Sequence, residues 1–190
     1  MKILSIMSSP HKDGNTAILM NKILNGLKSA SSIQLSIEKI NLTDLNLKPC
    51  VGCYECMDTL YCKICPDASD VVKKIIESHL IIIGTPIFFF NMTSYLKLLW
   101  DHFIMITHPK LQSKLFNKKF VLFTVAGSEY EDIAESFYRD AEETARFFNF
   151  DIVDRFKIGG FLESGEVKKD KSTLTKAFDF GKMLSKKTLL

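Results

Sequence analysis

Apolar residues along this chain fall by turns into short continuous runs and into helical spacings. Lys2 to Met7 is an apolar run closed by Ser8-Ser9-Pro10 and reads as a first strand. Asn15 and Thr16 then offer a helix cap, and Ile18, Leu19, Ile23, Leu24 and Leu27 lay one apolar face along the helix that follows. Ile33, Leu35 and Ile37 alternate with polar residues, and Ile40 and Leu42 extend the run. A half-exposed strand of that kind belongs at a sheet edge. A helix resumes near Ser69 with Val71, Val72, Ile75 and Ile76 on its face, and Leu80-Ile81-Ile82-Ile83 reads as a strand buried on both sides. Gly84 to Asn91 reads as a turn, Tyr95 to Phe103 as a broadly apolar helix, and Phe120 to Val125 as a buried strand ended by Ala126-Gly127-Ser128. Ile133, Phe137, Ala141, Ala145 and Phe148 recur at helical spacing; Ile152, Val153 and Phe156 mark a last strand, and Leu174 to Leu184 a last helix.

Strand and helix alternate five times, which right-handed crossovers turn into a parallel sheet covered on both faces. The pattern predicts an α/β fold: a flavodoxin-like three-layer sandwich with a five-stranded parallel sheet in the order 2-1-3-4-5. Ligands of such sheets sit beyond the carboxyl ends of the strands, so the loops after strands one, three and four are the ones to examine. Residues 1–190 are expected to form a single domain with a cysteine-rich insertion at about 43–68, where Leu42 to Asp67 has no period and is long for a plain connection.

Composition narrows the class of protein. A chain of 190 residues, 46% hydrophobic and 25% charged, can bury one full core. The net charge of +3 is not gathered into a basic stripe, so no nucleic-acid partner is expected. The first apolar run is short for a signal segment, and the longest apolar stretch, Leu80 to Phe90, is broken by Gly84, Thr85 and Pro86. The chain is therefore expected to be cytoplasmic, without membrane contact, and its five cysteines are not expected to form structural disulfides.

Ser8-Ser9-Pro10-His11-Lys12-Asp13-Gly14-Asn15-Thr16 brings free amides, hydroxyls and the positive end of a helix dipole together, which favours a phosphate. Ser9 and Thr16 hydroxyls and the Asn15 amide are candidate donors; the same residues also make an ordinary helix cap. Neither G-x-G-x-x-G nor G-x-x-x-x-G-K-[ST] occurs. The loop is similar to the G-S-P-R-x-x-G-N-T phosphate loop of the NAD(P)H-dependent FMN reductases and the related iron–sulfur flavoproteins. That resemblance implies that it wraps the phosphate of FMN. Ser8 stands where the family often has glycine, which a side chain tolerates if its φ is not positive. His11 stands where it often has arginine, which removes a bidentate clamp and leaves Lys12 to compensate.

Gly84 to Met92 can offer backbone donors and an apolar wall to a flat ring, through Pro86, Ile87, Phe88, Phe89 and Asn91. Three successive phenylalanines also suit a core or a subunit interface. The turn resembles the family's S-P-I-Y-F segment, and Lys97 and Asp101 match its K-x-x-x-D spacing, which is an ordinary helix pair as well. Gly127 allows a ligand close to the backbone at the end of the fourth strand, and the equivalent family loop contacts the flavin ring.

Cys50-x2-Cys53-x2-Cys56-x5-Cys62, with Cys65-Pro66 behind it, is the sharpest pattern in the chain. Its resemblance to the cysteine motif of iron–sulfur flavoproteins implies Cys50, Cys53, Cys56 and Cys62 as ligands of a [4Fe-4S] cluster, with Cys65 as a competing fourth. Zinc, empty thiols and a redox disulfide compete with that assignment, since clusterless relatives keep C-x-G-C-x-x-C here. No histidine pair has metal spacing and no G-x-S-x-G elbow supports a hydrolase. The resemblance thus implies an FMN-dependent oxidoreductase moving electrons from NAD(P)H to a small acceptor such as a quinone, flavin, nitro compound or metal ion. The flavin carries the chemistry, so no catalytic side chain is assigned. The alternative is an iron–sulfur flavoprotein relaying electrons between ferredoxin-like redox partners. A homodimer or homotetramer is implied as well, for which the Phe88-Phe89-Phe90 surface is suited.

Overall fold

The computed structural model of the chain describes residues 1–108, 111, 113–116, 118–129 and 132–188. Strands β1 (Lys2–Met7), β2 (Ser36–Asn41), β3 (Leu80–Pro86), β4 (Lys119–Val125) and β5 (Asp151–Ile158) pair in parallel in the order β2-β1-β3-β4-β5. This is the order expected from the alternation of runs. The fully buried run Leu80 to Ile83 lies at the centre of the sheet, and half-exposed β2 lies at its edge.

Helices α1 (Asn15–Ala30) and α5 (Lys171–Thr188) cover one face; α2 (Pro66–Glu77), α3 (Ser94–Asp101) and α4 (Glu135–Phe148) cover the other. Alternate side chains of each strand feed the two cores. Ile3, Ile82 and Phe123 pack with Leu19, Ile23 and Leu184, while Leu4, Ile83 and Leu122 pack with Val72, Leu96 and Phe137. Removing this apolar surface from water is what holds the three layers together. The closest helix contact is between α1 and α5. A Cβ on Gly26 would come within 1.9 Å of the Phe178 carbonyl oxygen, and one on Gly181 within 2.0 Å of the Ile23 carbonyl oxygen.

Boundaries differ from expectation where local residues have a second use. Gly84, Thr85 and Pro86 continue β3, opposite Phe123, Thr124 and Val125, instead of beginning a turn. Gly84 is there for packing, since a Cβ would meet Met20 at 2.8 Å and Phe123 at 2.9 Å. Pro86 is tolerated because it ends the strand. β2 starts at Ser36, and Leu42 begins a 3-10 turn, Leu42–Asp44. Residues 45–65 carry neither helix nor strand. α2 begins at Pro66, ahead of Ser69, because proline suits a first helical turn. α5 begins before Leu174, where the Asp170 carboxylate accepts from the Thr173 N–H and hydroxyl; those bonds hold Asp170 below the usual carboxylate range. Among the described residues no helix is long and apolar enough to cross a membrane.

Candidate functional site

The loop after β1 is fixed from both sides before it reaches α1. The Ser8 N–H donates to the Gly84 carbonyl at 3.0 Å, and the Thr93 hydroxyl donates to the Ser8 carbonyl at 3.1 Å. Ser8 does not have a positive φ, so a side chain fits there. Its hydroxyl is buried and, among the described residues, has no hydrogen-bond partner. The Ser9 hydroxyl accepts from the His11 N–H at 3.2 Å and donates to the His11 carbonyl at 3.3 Å, and the Gly14 N–H closes a turn onto the same carbonyl at 3.0 Å. Gly14 then caps α1 without a side chain, and the first turn of that helix holds no acidic residue. The leading N–H groups of α1, which have no partner within the helix, are left to bind an anion.

That helix end opens on a cleft of about 230 Å³ at the carboxyl edge of the sheet. Ser9, His11, Asn15 and Thr16 line it from the first loop, Pro86, Ile87 and Phe88 from the third strand, and Gly127 from the fourth. These are eight of the sequence-identified residues, brought together from three loops. Three others lie elsewhere. The Lys12 ammonium pairs with Asp44 at 2.5 Å on the loop after β2. The Asn91 amide donates to Ser136 and Asp140 of α4 at 3.3 and 3.1 Å. Phe89 is 98% exposed at the tip of a tight turn. In that turn Phe88 and Asn91 exchange backbone hydrogen bonds, and Phe89 and Phe90 both take positive φ, 46° and 68°. Two-residue turns of this kind normally use asparagine and glycine. Lys97 and Asp101 form their ion pair along α3.

A fourth wall was not foreseen. Phe161, Leu162 and Ser164, from the loop after β5, complete the cleft. A Cβ on Gly127 would meet Leu162 Cδ1 at 2.9 Å, so glycine there admits the Leu162 side chain. The signal was a Gly159-Gly160 pair followed by two apolar residues just beyond the last strand. Behind β4, the buried Thr124 and Tyr138 hydroxyls are hydrogen-bonded at 2.9 Å; burial pushes the Tyr138 pKa up to about 12.

The cysteines divide into two groups. Cys65 is fully buried, and its sulfur accepts from the Lys48 N–H at 3.3 Å, so it pins the insertion to the start of α2. The Cys56 thiol is pushed up, first by burial and then by Cys62, with smaller contributions from Cys50 and Cys53. Cys50, Cys53 and Cys62 therefore all lie within electrostatic reach of Cys56. Cys56 and Cys62 are buried, Cys50 is half-buried and Cys53 is exposed. Among the described residues no three Cys, His, Asp or Glu side chains are drawn together closely enough to hold a metal ion.

The chain is 36% identical over 101 residues to an iron–sulfur flavoprotein of Methanocaldococcus jannaschii, a match covering 53% of this chain and 51% of that protein. It is 26% identical over 128 residues to an iron–sulfur flavoprotein of Methanosarcina thermophila, covering 67% of this chain and 64% of the relative. The match thus spans about half to two thirds of the length of these curated relatives. Among solved structures, an FMN-dependent NADH-azoreductase of Bacillus anthracis superposes with a TM-score of 0.70 at 15% identity, covering 98% of both chains. An archaeal flavodoxin superposes with a TM-score of 0.58 at 15% identity over 100% of both. These likenesses establish the flavodoxin-like fold. The sequence model of NADPH-dependent FMN reductases matches residues 1–135, which include the loops after β1, β3 and β4, and the chain belongs to that family.

Proposed function

We propose that the protein is an FMN-dependent oxidoreductase that passes electrons from NAD(P)H to a small acceptor such as a quinone, a flavin, a nitro compound or a metal ion. One observation carries this reading: an uncapped helix end, free of acidic side chains, opens directly onto an apolar cleft. A phosphate ester suits the first and a flat ring suits the second. FMN, when bound, supplies the hydride and electron chemistry. The chain's residues bind and orient it. The first-turn amides of α1 with the Thr16 hydroxyl, and the Ser9 hydroxyl once it rotates from the His11 carbonyl, hold the phosphate, while Ile87, Phe88 and Leu162 exclude water from the ring. Among the described lining residues His11 is the only titratable side chain, so the cleft is built to position rather than to move protons.

Mixing the protein with FMN tests this. Quenched flavin fluorescence and retention of FMN through desalting are expected, with bleaching of the bound flavin on adding NADH or NADPH. Ser9→Ala with Thr16→Val should weaken FMN by about tenfold. Failure of the unaltered protein to hold FMN would overturn the reading.

A second reading is favoured by the reach of Cys50, Cys53 and Cys62 to Cys56. In it these thiolates hold an iron–sulfur cluster and the protein relays electrons between redox proteins. Four thiolates suit iron and sulfide chemically. Anaerobic purification with iron and sulfide assays decides: both bound together support the carrier, and their absence leaves the reductase.

A further inference from the structure

Asn15 opens the helix that seats the phosphate in the reading above, yet its side chain is spent elsewhere. The amide nitrogen donates to the carbonyl oxygens of Phe161 at 3.3 Å and Glu163 at 2.8 Å, and the amide oxygen accepts from the Val167 N–H at 3.0 Å. Two carbonyls on one side and an N–H on the other fix which amide atom is nitrogen. An asparagine side chain has two N–H donors. Both are used, and none is left for a phosphate oxygen. The residue is only 8% exposed, so water does not compete for these bonds.

All three partners belong to segment 161–167, which carries the fourth wall of the cleft. Its apolar ends also reach the core: Val167 is fully buried with Leu19, Ile23 and Leu184, Phe161 packs on that cluster, and between them the Glu163 N–H donates to the Glu166 carboxylate at 3.1 Å. Gly160 and Gly165 take positive φ, Leu162 is 84% exposed, and on the far side the Phe161 N–H donates to the Ala126 carbonyl at 3.1 Å. The segment crosses the cleft from Gly127, which Leu162 overlies, to Gly14, where a Cβ would lie 3.3 Å from the Ser164 hydroxyl. Asn15 is its tie to the phosphate side.

We propose that Asn15 is a positioning residue whose side chain clamps segment 161–167 to the phosphate-binding helix and so couples the two ends of the flavin site without itself reaching the phosphate. This rests on the FMN reading above. Riboflavin, which has the ring but no phosphate, separates the roles. A clamp serves both flavins; a phosphate ligand serves FMN alone.

The experiment titrates FMN and riboflavin into the protein and its Asn15→Ala variant by flavin fluorescence, and follows amide hydrogen exchange across residues 159–167 in both. The clamp predicts that the variant loses affinity for both flavins by the same factor, about tenfold or more, and that exchange across 161–167 speeds up while Leu19 to Leu27 stay protected. Weakened FMN with unchanged riboflavin would overturn it, as would unchanged exchange in 161–167. If the alanine variant does not fold, Asn15→Ser, which keeps one hydroxyl, is read by the same two criteria. If the unaltered protein binds neither flavin, the FMN reading fails, and the exchange comparison alone still reports whether Asn15 holds the segment.

Discussion

The loops after β1 and β2 leave the same edge of the sheet from adjacent strands, and each carries a pattern that points to chemistry, but they are held in opposite ways. The first is short and braced by the backbone: both main-chain groups of Ser8 are bonded to neighbouring segments, and the helix that follows is locked against α5 at Gly26 and Gly181. The second runs through residues 45–65 without helix or strand and is tied down mainly near its ends. The Asn46 N–H donates to the Asp67 carboxylate at 2.7 Å, the Lys48 N–H to Cys65, and the Cys62 N–H to the Ser69 hydroxyl at 2.7 Å. Between those ties Val51 and Tyr54 are exposed, and Gly52, Tyr54 and Leu60 take positive φ. A site made of amides at a helix end is positioned by the fold that makes the helix. A site made of thiols on a long loop has its geometry completed by what the thiols bind.

The largest test of that contrast sets one glycine of each region against the other. Gly26→Ala places a methyl 1.9 Å from a backbone oxygen, which only a shift of α1 or α5 can relieve. A loss of about 3 kcal/mol or more is expected in denaturant unfolding. Gly52→Ala meets no atom within 4 Å, and only its φ of +66° is unfavourable. It should cost about 1 kcal/mol. Similar losses at the two positions would show that the first loop's helix is no more rigidly seated than the insertion.

Rigidity of this kind was legible in the sequence where it came from continuous apolar runs. Leu80 to Ile83 and Phe120 to Val125 have no amphipathic alternative, so their central places in a parallel sheet follow from pattern and chirality, and the 2-1-3-4-5 order from the fold that five such strands suit. Gly84 and Pro86 were read as breakers because those residues usually are, but packing against Phe123 outweighed local preference. The sequence groups Asn15 with its loop neighbours as a candidate phosphate donor, whereas in the structure its side chain bonds to the segment after β5. Its partners stand 146 to 152 residues further along the chain, and no local pattern reports such contacts. The same holds for Leu162 and for the choice between Cys62 and Cys65. Spacing leaves both as candidates for a fourth thiol, and the Lys48 N–H that meets the buried Cys65 sulfur is a contact that spacing does not report.

A smaller effect probes the frame behind the cleft. Tyr138 is buried against Thr124 of β4, and its pKa is pushed up from 10.0 to about 12, mainly by burial. The neutral phenol is the form the fold accepts. Its contribution is therefore fully present below pH 10, where an unfolded tyrosine is also neutral, and is lost as pH rises toward 12. Stability should fall by about 2–3 kcal/mol across that window from this group. Tyr138→Phe should lack that part of the decline, as read by the difference between the two unfolding profiles. Parallel profiles would mean that the hydroxyl reaches water and that the β4 side of the cleft is looser than its hydrogen bond implies.

The smallest effect divides the insertion itself. Cys65→Ala deletes a fully buried sulfur and leaves the Lys48 N–H without its acceptor, so about 1–2 kcal/mol should be lost. Cys53 is exposed, and Cys53→Ser should change unfolding by less than about 0.5 kcal/mol. Bound iron, where the anaerobic protein holds any, should respond in the opposite order: Cys53→Ser loses it and Cys65→Ala keeps it. Stability and iron content would then report on different thiols of one loop. If Cys65→Ala lost iron and Cys53→Ser did not, Cys65 would be a ligand after all, and the insertion would be braced by the very group it binds.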